Sequence, residues 1–176
     1  GTLDMDGGAG AAVTIRCRNP AGMWYGIRVQ DSANVVADDD SIRHARAPLV
    51  LESPTTAQLT SLFANLKSDI AIDSCLTDLG IAADLTVSGS LTIPGGWTLG
   101  FAANRDAGES GADPTRTEIA VASGGTVTFT ATSGSPTLLR SDDPDGVAAD
   151  WYGIRVSDSD FSANIALSND DGAVEF

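Results

Sequence analysis

The sequence contains one lysine, Lys67, one histidine, His44, and only four glutamates, against twenty aspartates. Its twenty-four acidic residues face ten basic ones, for a formal charge of −14 and a pI near 4.1. A field of that sign repels phosphate backbones and anionic headgroups, which argues against nucleic acid and membrane surfaces as partners and leaves cations, calcium above all. No apolar run reaches the roughly 18 residues of a membrane span, so direct insertion is not expected. Residues 1–20 have neither the basic start nor the apolar stretch of a secretory signal, so a secreted protein of this sequence would carry its signal outside the chain. GxSxG, HExxH and Walker-type motifs are missing, and the glycine-rich DGGAG and SGG lack the strand-to-helix setting that binds phosphate. Cys17 and Cys75 stand alone with no CxxC spacing, which leaves open both a disulfide and two free buried thiols.

What is present is repetition. WYGIRVQDS at 24–32 returns as WYGIRVSDS at 151–159. Around it Gly1-Thr2-Leu3 answers Gly125-Thr126-Val127, Arg16 answers Arg140, and Ala33-Asn34-Val35 answers Ala163-Asn164-Ile165. The copies span 1–46 and 125–176, and their small insertions fall where turns belong. A shorter period lies inside: Ile27-Arg28-Val29, Leu49-Val50-Leu51 and Ile70-Ala71-Ile72 follow one another at nearly equal intervals, each closing on an acid and a serine. Alternating apolar residues ended by a turn signal describe a half-buried strand, and a strand returning at fixed spacing describes a solenoid. Further strands are expected at 13–15, 34–36, 85–87, 91–93, 118–121, 127–129 and 136–139. The fold class expected is all-β, a right-handed parallel β-helix with coils of about 21–24 residues, in which Gly26 and Gly153 mark corners. All of 1–176 forms one such segment, and its ends read as cut from a longer array.

Two stretches interrupt the pattern. In TAQLTSLFANLK (56–67), Leu59, Leu62, Phe63 and Leu66 make a helical stripe, yet Ala57-Gln58-Leu59 also aligns with Ala33-Asn34-Val35; we read the stretch as a coil of the solenoid. Residues 102–117 have no apolar periodicity and read as an excursion loop.

The stretch 117–156, with Gly125-Thr126-Val127, Pro136-Thr137, Leu139 and Asp150-Trp151-Tyr152-Gly153-Ile154-Arg155-Val156, resembles a unit of secreted and cell-surface right-handed parallel β-helix repeat proteins of bacteria and archaea. There a G-T-L strand, a P-I-x-F strand and D-W-x-G-I-x-V follow one another. The resemblance covers about two thirds of the chain and implies the pectate-lyase-like superfold in its non-catalytic branch. Thr137 departs from the pattern, being polar where an aliphatic residue is usual.

The candidate ligands are aspartates in turns: Asp38, Asp39 and Asp40, then Asp142, Asp143 and Asp145, then Asp170 and Asp171. Turn carboxylates with nearby backbone carbonyls form an oxygen shell suited to calcium, although none of these clusters matches a known calcium loop, and solvated turn acids are the plainer account. Arg28 and Arg155 hold the same place in both copies. A residue kept in duplicate serves both coils, so we expect each to pair outward with Asp31, Asp158 or an acid of a neighbouring rung. His44, between Arg43 and Arg46, reads as a turn residue. The function expected is a non-catalytic structural or adhesive segment of an extracellular or cell-surface protein. The alternatives are a carbohydrate-active β-helix of lyase or hydrolase type and a self-assembling surface-layer or filament component. Partners are then a polysaccharide or neighbouring protein subunits.

Overall fold

The computed structural model describes residues 1–5, 11–19, 21–30, 33–102, 117–141, 151–156, 164–167 and 174–175; for 151–152, 164–167 and 174–175 only the backbone is described. Its elements fall into triplets along the chain. The first is β1 (Thr2–Asp4), β2 (Thr14–Arg16) and β3 (Ile27–Val29), and the second is β4 (Asn34–Val36), β5 (Asp40–Arg43) and β6 (Leu49–Leu51). The third opens with the helix α1 (Thr56–Asp69), followed by β7 (Ile70–Asp73) and β8 (Leu79–Ile81). Then come β9 (Leu85–Val87), β10 (Ser90–Pro94) and β11 (Thr98–Phe101); β12 (Thr117–Val121), β13 (Thr126–Thr130) and β14 (Thr137–Ser141); and β15 (Trp151–Val156), β16 (Asn164–Leu167) and β17 (Val174–Glu175).

Among the described residues twelve ladders join these strands, all of them parallel. Each strand pairs with its counterpart one triplet away. The third members make one six-stranded sheet, ordered β17-β14-β11-β8-β6-β3, while the first members make two shorter sheets interrupted by α1 and the second members two that break between β7 and β10. Parallel neighbours cannot be joined by a tight hairpin, so the chain must travel through two other elements before it returns beside itself.

Alternation fills the interior. In the six-stranded sheet Ile27, Leu49, Leu79, Leu99 and Leu139 stand in register, and beside them Val29, Leu51, Ile81 and Phe101 form a second row. Ile93 meets Phe129 and Leu91 meets Val127 across β10 and β13, all four essentially inaccessible. Each side chain so buried contributes about 1.5–3 kcal/mol. Thr137, the polar departure, is fully buried and donates its hydroxyl to the Pro94 carbonyl at 2.9 Å, so its burial leaves no orphaned group.

All ten strands expected from the alternation are present, but their spacing is corrected. Ile27 pairs with Leu49, as the short period expects; Leu49 does not pair with the Ile70 strand. That strand lies on β5, with Asp40 opposite Ile70, and the partner of β6 is β8, where Val50 meets Gly80. The register step is uneven: Leu79 pairs with Leu99 and Leu99 with Leu139, so the second step is twice the first where an even period was expected. Connections between strands absorb residues freely, because lengthening a surface loop costs little.

Residues 56–67 are helical, which corrects the coil reading. The Thr55 side chain accepts the Gln58 N–H at 3.1 Å as an N-cap, directly after Pro54. Valine and isoleucine, abundant in the strands, do not occur in α1. Leu59 and Leu66 are buried and Leu62 and Phe63 pack against the same core, so the stripe does what a stripe at that spacing should do. The C-terminal turn is clamped to the next triplet. The Phe63 ring meets Trp97 edge-on at 4.9 Å, and Lys67 lies over the same indole while donating to Asp78 at 2.8 Å and to the Gly96 carbonyl.

Candidate functional site

Both duplicated arginines are used between strands. Arg28, on β3, donates through Nε to Glu52, just past β6 in the following triplet. Arg155, on β15, embraces both carboxylate oxygens of Glu118 on β12, in the preceding triplet, with Nε at 3.0 Å from each and Nη2 also bonded. The expected pairing with a neighbouring rung's acid therefore holds, and the acids are two of the chain's four glutamates. The Arg155 guanidinium, chiefly through its hydrogen bonds, lowers the Glu118 carboxyl below the usual glutamate range. Glu52 is deeper: its side chain is 4% exposed, and its second oxygen has no hydrogen-bond partner.

The six-stranded sheet has the longest outer face, along which a polysaccharide groove would run. Across it Arg28, Val50, Gly80, Gly100 and Arg140 follow one another in register. Between the arginines the face is small and apolar: Val50, Ala47, Ala82 and Ala102 are buried there as a cluster separate from the interior, with Tyr25 packed against it. Among the described residues this face presents no aligned row of aromatic and basic side chains.

The glycine corner is confirmed at Gly26, just before β3, whereas Gly153 lies inside β15, at the point where its ladder with β12 shifts register. Gly26 has φ of 116° and Gly153 of 118°, a region that side-chain-bearing residues avoid. A Cβ on Gly26 would also run into the Ala47 carbonyl of the next triplet. Trp24 fastens this corner, its indole N–H donating to the Arg43 carbonyl at 2.9 Å. His44 is a turn residue, with φ of 55°, one ladder step from Ser74 with φ of 56°.

Of the candidate calcium ligands, Asp38 and Asp39 are exposed, whereas Asp40 is buried at the start of β5. Both Asp40 oxygens already accept backbone N–H groups, from Val13 at 2.7 Å and from Asp38 at 3.3 Å. No metal-holding cluster occurs among the described residues. Asp142, Asp143, Asp145, Asp170 and Asp171 lie outside the described residues, as do Asp31 and Asp158, and so does all but the two ends of the expected 102–117 excursion.

Cys17 and Cys75 are free thiols. The register explains why: Arg16 meets Arg43, which meets Asp73, so the two cysteines lie two ladder steps apart. That separation, on the order of 10 Å, exceeds the reach of a disulfide. Burial, above all, raises the Cys75 thiol pKa, which favours the protonated form.

What sequence reasoning missed was the identity of the pairing acids and several strands, β5, β8 and β11 among them. Leu79-Gly80-Ile81 has only two aliphatic residues around a glycine, too little alternation to register as a strand. No helix among the described residues is long and apolar enough to cross a membrane. No family model, no curated protein and no solved structure matches this chain.

Proposed function

We propose that the chain is a segment of a right-handed parallel β-helix with a structural role, a non-catalytic scaffold or adhesive rod of an extracellular, cell-surface protein. The observation that carries this reading is the use of the duplicated arginines. Both copies spend their shared charge on an ion pair between neighbouring strands, so the repeated unit is a building block. Twelve parallel ladders, each joining elements one triplet apart, support the helical winding. The right hand follows from the general preference of parallel crossover connections.

Three measurements on the purified chain and its source cells test the reading. Small-angle scattering is expected to give an elongated particle, and incubation with neutral and acidic polysaccharides in calcium to release no new chain ends. Antibody against the chain is expected to label intact cells. A spherical particle refutes the winding, steady polysaccharide cleavage refutes the non-catalytic role, and labelling only after permeabilisation refutes the location.

A further inference from the structure

Where α1 replaces a strand, β4 loses a neighbour. Among the described residues β4 pairs with β1 on one edge and with no strand on the other. Asn34 donates its N–H to Gly1 and Val36 accepts from Met5, so alternation turns the Val35 N–H and C=O toward the opposite edge. On that side, between β4 and α1, lies a cavity of about 450 Å³. Its floor is apolar, with Val35, Leu49, Leu51 and Leu62, and its rim is uncharged, with Gln58 and Ser61. A second cavity of about 190 Å³ shares Val35, Leu49, Ser61 and Leu62 and extends the groove to Asp69.

We infer that this groove receives an extended peptide that adds as a strand to the open edge of β4. An unpaired strand edge beside an apolar cavity, with a helix as the opposite wall, offers a peptide both main-chain hydrogen bonds and a pocket for every second side chain. The peptide runs parallel to β4, as all twelve ladders do, and its apolar side chains enter the cavity. Its C-terminal end then approaches the exposed Asp38 and Asp39, which follow β4, and Asp69. No basic side chain lines either cavity among the described residues, so the complementary peptide is basic at that end.

The probe is a fluorescent heptapeptide that alternates valine and threonine and ends in two arginines, titrated against the whole chain by anisotropy. Saturable binding is expected, together with protection of the Val35 amide from hydrogen exchange only when peptide is present. V35P removes that N–H without touching the bonds to β1 and is expected to weaken binding about tenfold, the worth of one good hydrogen bond. S61W fills the groove from the exposed side of α1 and is expected to abolish binding; where V35P fails a melting check, S61W decides. No saturable binding by the folded chain overturns the proposal. So does binding that leaves Val35 exchange unchanged, and so does uptake of octyl glucoside in place of peptide, which would make the groove a site for small apolar molecules.

Discussion

Residues 24–29 and 151–156 are identical, WYGIRV, yet they occupy different sheets. The first copy supplies β3, the edge of the six-stranded sheet, and its arginine reaches forward to Glu52. The second supplies β15, the edge of the β9-β12-β15 sheet, and its arginine reaches back to Glu118. What the copies share is local: nearly the same φ at the glycine and an outward arginine. The opening strands agree too, since Thr2 meets Asn34 and Thr126 meets Asn164 in the same register. The repeat thus stores the shape of a strand and its positive-φ glycine, while the neighbour it meets is set by how many elements intervene. Counting α1 as an element, thirteen steps separate the copies, four triplets and one more, so the second copy enters one position later in its triplet.

Four substitutions probe this difference. The largest effect is expected from Gly26→Val, which combines about 1–3 kcal/mol of backbone strain with about 1–3 kcal/mol of overpacking against Ala47. A chemical-denaturation loss below about 1 kcal/mol would count against the corner at Gly26. Next is Arg28→Met, expected to cost roughly 2–3 kcal/mol because it strands the buried Glu52 carboxylate, with the half-exposed arginine moderating the loss. If Glu52→Gln, Arg28→Met and their double variant are additive, the pair is not coupled.

Arg155→Met is the milder counterpart, at about 1 kcal/mol, since the ion pair it breaks is more open to water. Its signature is the pH dependence. Glu118 has a lowered folded pKa, so its stabilisation is present above the ordinary glutamate range near 4.3 and is lost as pH falls through the lower folded value. The gap in melting temperature between wild type and this variant should be full at neutral pH and close on acidification; a gap constant with pH would assign the effect to packing. Smallest is Asp39→Gly, within about 0.5 kcal/mol of wild type or slightly stabilising, because Asp39 holds φ of 56° on the surface. A large loss in melts of that variant would give Asp39 a role beyond the turn.

Strands were legible where apolar residues flanked a polar one, as in Leu85-Thr86-Val87 and Val127-Thr128-Phe129. Legibility failed where a strand was short and centred on glycine, as at Leu79-Gly80-Ile81, and where an acid that looked like turn solvent, Asp40, was buried to satisfy backbone N–H groups. The helix was written in the sequence twice over, in the Leu59-Leu62-Phe63-Leu66 stripe and in the Thr55 cap. It was outweighed by an accidental alignment with Ala33-Asn34-Val35. The groove beside β4 had no sequence signal, because an open strand edge is a property of the neighbour that failed to form.

The sequence by itself determined which residues face inward, where the chain must turn and that Arg28 and Arg155 would look for acids, since alternation, glycine stereochemistry and charge all act over a few residues. Only the tertiary structure decided which strand lies beside which, how far apart the cysteines stand and what α1 leaves uncovered. Those outcomes depend on the residues consumed between one strand and its partner, and loop closure is too insensitive to length for local patterns to encode them.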